Sequence, residues 1–175
     1  MPKRATLLVL ALALAAGCGG GLPADVAQLG YVNRQYRFAM NVAPGWTVRE
    51  TGGTAAVFLM GPQAADGTHP NVNVIVEIGG AAITLEELAR TCRREAEALK
   101  GFRLLGQESR TLAGGRRAWV LTFEQSSLGQ TLRQRQLCVL VDNRSYIVTA
   151  TASPEAFAAH EADFEAVLKS FRAGW

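Results

Sequence analysis

Residues that chemistry at a protein site most often needs are scarce in this chain. Its 175 residues include only two histidines and three cysteines. No His-Glu-x-x-His or Cys-x-x-Cys spacing occurs, so the sequence carries no zinc signature. No serine stands in Gly-x-Ser-x-Gly, and the run Gly19-Gly20-Gly21 has neither a strand before it nor Gly-Lys-Ser/Thr after it. A nucleophile elbow and a phosphate-binding loop are therefore not indicated. The uncharged run Ala5 to Ala16 is also too short to span a bilayer. As a helix it rises roughly 18 Å, against a hydrocarbon core of roughly 30 Å.

What that run does fit is an export signal: Lys3 and Arg4 precede it, and small residues follow it. Leu14-Ala15-Ala16-Gly17-Cys18 resembles a bacterial lipobox, with Ala15 where leucine is usual. The resemblance implies cleavage before Cys18 and a thioether-linked diacylglycerol on its sulfur, so residues 1–17 are read as a lipoprotein signal peptide. The other reading is ordinary secretion, with Cys18 left as a free thiol on a tail. Losing Lys3 and Arg4 lowers the formal charge from +3 to +1 and leaves 158 residues, enough for one domain with a substantial core. The basic balance is thus no argument for nucleic acid, and no nucleic-acid partner or cofactor is expected. A cell-envelope location with a membrane anchor is expected. It would be the outer membrane, facing the periplasm, in a host with two membranes, since Gly19 is not the aspartate that retains some lipoproteins at the inner membrane.

Residues 18–30 read as a lipidated flexible tether and 31–175 as a single domain. Using Cys18 for lipid leaves Cys92 and Cys138 as a possible disulfide in an oxidising compartment, or as two buried thiols.

Alternation predicts strands near residues 36–42, 46–49, 55–60 and 72–78. Thr84-Leu85-Glu86-Glu87 has capping-box spacing, and Leu85, Leu88, Ala89, Cys92, Ala96 and Leu99 give a helix an apolar stripe up to about Lys100. Four further strands are predicted over 102–111, 117–125, 131–141 and 145–151. A last helix opens at Ser153-Pro154 and carries Phe157, Phe164, Val167, Leu168 and Phe171. Hairpin-length turns make the strands antiparallel. Apolar runs such as Leu137 to Val141 place part of the sheet between two covered faces. The fold class is α+β, in the order ββββ-α-ββββ-α, with helices flanking an antiparallel sheet.

The stretch Tyr36 to Trp46, with its Pro44-Gly45-Trp46 corner, and the ending Phe164 to Phe171 resemble the opening strand and closing helix of PsbP-like and DcrB-like proteins. That resemblance implies an antiparallel sheet sandwiched by helices, and it names no catalytic residue.

Few residues stand out as site candidates. Asp66 and His69 offer at most half of a metal or acid-base site, against a solvated loop. His160 reads as an edge residue of the last helix, and Trp46 as a plug at one end of the core. Arg116, Arg117, Arg133 and Arg135 form either a cationic patch for lipid headgroups or an acidic partner, or a solvated strand face. The functional expectation is a lipid-anchored, non-catalytic envelope protein that binds another protein or assists envelope assembly. The alternative is a carrier holding an apolar ligand between sheet and helix.

Overall fold

The computed structural model describes residues 21–79 and 83–175. Signal segment, Cys18 and the first two tether glycines lie outside that range. Inside it lies part of the stretch read as tether. Ala24–Ala27 forms a helical turn, α1, whose Val26 is buried.

Two antiparallel sheets follow. A small one joins β1 (Tyr31–Asn33), β2 (Phe38–Met40) and β10 (Arg172–Ala173) in the order β1-β2-β10. The main sheet has seven strands: β3 (Thr47–Glu50), β4 (Ala55–Met60), β5 (Asn71–Ile78), β6 (Arg103–Thr111), β7 (Arg117–Ser127), β8 (Gln130–Val141) and β9 (Arg144–Ala152). Their order is β3-β4-β5-β9-β8-β7-β6, every neighbouring pair antiparallel. The predicted α+β architecture is thus present, with β1 and β10 added and the first predicted strand cut to three residues. Tyr36 closes a turn by donating its amide to the Asn33 side chain, and Arg37 adopts φ 55°, so extended backbone begins only at Phe38.

Helix α2 (Leu85–Glu97) starts with the predicted capping box: Thr84 and Glu87 satisfy each other's exposed amides. The single last helix of the sequence reading is two helices, α3 (Pro154–Ala159) and α4 (Glu161–Ser170). His160 breaks the run at φ −105°, ψ 15°. In one straight helix, residues seven apart lie about 10 Å apart along the axis. The bend brings the rings of Phe157 and Phe164 to 4.7 Å.

Strand alternation then sorts the core into two layers. Along β7, Ala118 and Val120 face α3, α4 and the small sheet, together with Leu137, Val139, Tyr146 and Val148 of β8 and β9. Trp119, Leu121 and Phe123 point the other way and pack under α2 with Cys138, Cys92 and Leu88. Both faces of β7 and β8 are therefore covered by apolar contacts near their middle, which is why these strands read as continuous apolar runs.

Candidate functional site

A trough of about 470 Å³ indents the surface. It lies on the α4 side of the main sheet, where the helical layer ends over β8 while the sheet continues through β7 to the edge strand β6. The floor is low because its residues are small. Gly106 is paired opposite Thr122, and beyond Gly106 there is open space.

Charged walls flank that floor. Arg135 donates from Nη1 to Glu161 at 2.6 Å and to Glu165 at 2.7 Å, and from Nε to the Thr122 hydroxyl at 3.3 Å. Arg110 of β6 reaches Glu165 at 3.1 Å and Glu108 at 2.7 Å. At one end, Glu124 accepts from Arg133 at 2.8 and 3.1 Å and from Arg103. The guanidinium groups of Arg133 and Arg135 also lie 5.9 and 5.3 Å from the Phe157 ring centre, a distance at which a cation is attracted to a ring face. These groups pin α4 to the sheet and leave a polar, charge-balanced groove.

Hydrogen bonds from Arg133, and then from Arg103, hold the Glu124 carboxyl below the usual carboxylate range despite its burial. Burial alone would raise Glu165, but Arg110 and Arg135 outweigh it and its carboxyl is also held low. A depressed folded pKa adds stability that is complete above the unfolded value, about 4.3, and is lost as pH falls through the folded value. Glu124→Gln should therefore cost about 2 kcal/mol in urea unfolding near neutral pH. The gap between variant and parent should close in acid, and a gap that stays constant would show that the charge contributes nothing.

Among the four arginines read as a patch, the structure brings only Arg133 and Arg135 together. Register places Arg135 opposite Thr122 and Arg133 opposite Glu124, so both project to the α4 face. Arg117 lies on the other face and pairs with Glu86 of α2 at 3.0 Å. Arg116 is exposed in the β6–β7 turn. None of the three arginines in the trough, Arg110, Arg133 and Arg135, is a free cation, since each is held by carboxylates. Three members of this network, Glu161, Glu165 and Arg110, did not stand out in the sequence. The only signal they give there is the four-residue spacing of the two glutamates on one helix face.

The other candidates resolve into packing and turns. His69 contacts the Gly61 carbonyl at 3.2 Å through Nδ1, while Asp66 accepts from Thr68, so the two do not converge. No metal-holding cluster of His, Cys, Asp and Glu occurs among the described residues. His160 pairs with Asp163 at 3.0 Å and meets the Trp46 ring edge-on at 5.9 Å. Trp46 is buried in the main core cluster, its ring edge-on to Phe164 at 5.6 Å. Cys92 and Cys138 are free, buried thiols in one cluster. Contact with Cys92, followed by burial, pushes the Cys138 thiol up. The apolar-carrier alternative needs space between sheet and helices. In the core cluster there, Phe38, Phe157, Phe164 and Phe171 are all fully buried.

Comparison of the sequence with protein-family models and with curated proteins gives no match. Solved structures do match. LpqN of Mycobacterium tuberculosis, described as involved in cell envelope biogenesis, is 20% identical with a TM-score of 0.63, over 77% of this chain and 81% of its own. The cyanobacterial PsbP protein CyanoP of Synechocystis sp. PCC 6803 is 13% identical with a TM-score of 0.60, over 82% and 91%. A Pseudomonas aeruginosa protein of unknown function is 17% identical with a TM-score of 0.56, over 69% and 91%. At these identities the likeness is one of fold, and the fold is PsbP-like.

Proposed function

We propose that this chain is a lipid-anchored, non-enzymatic cell-envelope protein that binds a protein partner through the trough and the adjoining edge of β6. The observation that carries the reading is their juxtaposition. β6 ends the main sheet, so one side of its nine-residue backbone has no strand neighbour among the described residues, and the polar trough opens directly beside it. An extended segment added to that edge would gain main-chain hydrogen bonds and lay alternate side chains over the trough. Mutually neutralised arginines and glutamates suit a polar partner surface better than a small ion of either sign. The envelope setting is supported by the lipobox-like sequence around Cys18 and by the description of the LpqN neighbour.

In-cell photocrosslinking distinguishes this surface from the rest of the domain. A photoreactive residue at Glu108, exposed on β6 and lining the trough, should give a discrete protein adduct, and one at Leu128, exposed in the β7–β8 turn, should not. Adding Gly106→Phe to fill the trough should remove the Glu108 adduct while the chain stays folded. No discrete adduct from Glu108, or an adduct indifferent to a filled trough, would overturn the reading.

A further inference from the structure

The short helix α1 changes what an anchor at Cys18 would do. Its Val26 is buried, and Asp25 lies 3.5 Å from Nε of Arg172. Arg172 is itself fixed, because its Nη1 donates to the carbonyls of Ser170 at 2.9 Å and Phe171 at 3.1 Å. Pro23 and Val26 line a cleft of about 150 Å³ with Leu112, Arg116 and Trp175. The chain is thus secured to the domain by Pro23. Only five residue steps separate it from Cys18, a reach of about 18 Å when fully extended.

That reach leads to one end of the main sheet, and the end is rich in arginine. Arg116 lies in the β6–β7 turn at the cleft, and Arg34 and Arg37 lie in the β1–β2 turn. The carbonyl of Arg37 accepts from Gly174 at 2.9 Å, which joins that turn to the C-terminal segment. Arg144 begins β9 and reaches the Tyr36 carbonyl at 3.5 Å. With Arg172 this makes five arginines. The acidic groups at this end are Asp25, held by Arg172, Asp142 in the β8–β9 turn, Glu77 next to the β5 residue that pairs with Arg144, and Glu86, held by Arg117; Glu50 lies farther along the edge and accepts from the Tyr31 hydroxyl. Arg34, Arg37 and Arg116 are exposed.

We infer that this end of the domain faces the bilayer and that its exposed arginines, Arg34, Arg37 and Arg116, contact the phosphate groups of anionic lipids, with Trp175 beside the interface. The inference rests on the lipid anchor of the proposed function. The tether is too short to let the domain diffuse away from the surface, so weak headgroup contacts act at high effective concentration. Each basic residue near an anionic surface adds a modest attraction that salt screens. Trp is an aromatic favoured at the headgroup level because its ring has an apolar body and a polar tip. The opposite end of the sheet, marked by Leu128, stands about 35 Å away along the eleven residues of β7, and the protein-binding trough lies between the two.

The test uses the full chain purified from membranes and reconstituted in phosphatidylcholine vesicles with or without phosphatidylglycerol. Photoreactive residues at Gln35 and Ala113, both exposed, should label lipid, more so with phosphatidylglycerol and less in high salt, whereas Leu128 should not. Arg34→Gln with Arg116→Gln should cut the labelling about fivefold or more in phosphatidylglycerol vesicles and leave it unchanged in phosphatidylcholine. Equal labelling from Leu128, protein adducts in place of lipid ones, or labelling unaffected by the arginine substitutions would overturn the inference. Intact mass of the same sample separates the two failures. A chain without acyl mass overturns the anchor, and an acylated chain that fails to label overturns the orientation alone.

Discussion

Replacing Cys18 by serine is expected to abolish acylation completely. On the proposed anchoring, the intact chain should lose all lipid mass and retain residues 1–17, since the proposed cleavage lies directly before the acylated cysteine. A companion chain, with an ordinary cleavable secretion signal joined directly to Gly19, should move from the membrane fraction to the soluble fraction. The size of the effect follows from apolar transfer: each buried methylene contributes about 0.8 kcal/mol, one acyl chain holds only marginally, and two give durable attachment. No described helix is long and apolar enough to cross a membrane, and a few arginines at one end supply only a weak, salt-sensitive attraction. Fatty-acid labelling and fractionation of both chains check the result, and a Cys18→Ser chain that still takes up label would remove the anchor from the account.

Local signals carried most of the fold. The capping box at Thr84 and Glu87, the Ser153-Pro154 helix start and the alternation of β4 and β5 depend on neighbours a few residues apart, and each is present where the pattern placed it. What was hidden depends on distant partners. β10 is two residues long and exists because Arg172 and Ala173 pair with Ala39 and Phe38, more than 130 residues earlier. The break at His160 has no proline or glycine to announce it. It is set by the meeting of Phe157 with Phe164 and of His160 with Trp46, which is a tertiary override of local propensity.

The site was harder to read for the same reason. Four arginines on adjacent strands look like one patch until register is known. In an antiparallel pair, a residue's face depends on the parity of its partner, so Thr122 opposite Arg135 sends Arg117, five residues before Thr122, to the other side. The trough depends on still less local information: where α4 stops over the sheet, and that Gly106 and Thr122 meet beneath the gap. Sequence alone supplied the arginines, and register supplied their glutamates.

Oxidised protein taken from the envelope is expected to carry a Cys92–Cys138 bond and to unfold only at markedly higher temperature than the reduced form. Both thiols are free in the structure and share one buried cluster, where they join α2 to β8 at the centre of the sheet. Thiol exchange with an oxidised dithiol donor would transfer two electrons and two protons to that donor and close a loop of about 46 residues, worth about 4 kcal/mol in chain entropy. For a domain of this size that is a shift of roughly 8–16 °C. The buried thiols also fix when the bond can form. The Cys92 contact and burial push the Cys138 thiol up, so the nucleophilic thiolate is scarce once α2 has docked. Chain folded under reducing conditions should then resist mild oxidant, whereas chain folded during export should be bonded. Alkylation in denaturant without reductant, read by mass, decides it. Two alkyl groups added at Cys92 and Cys138 of the exported protein would rule the bond out, and the melting temperature should then be indifferent to reductant.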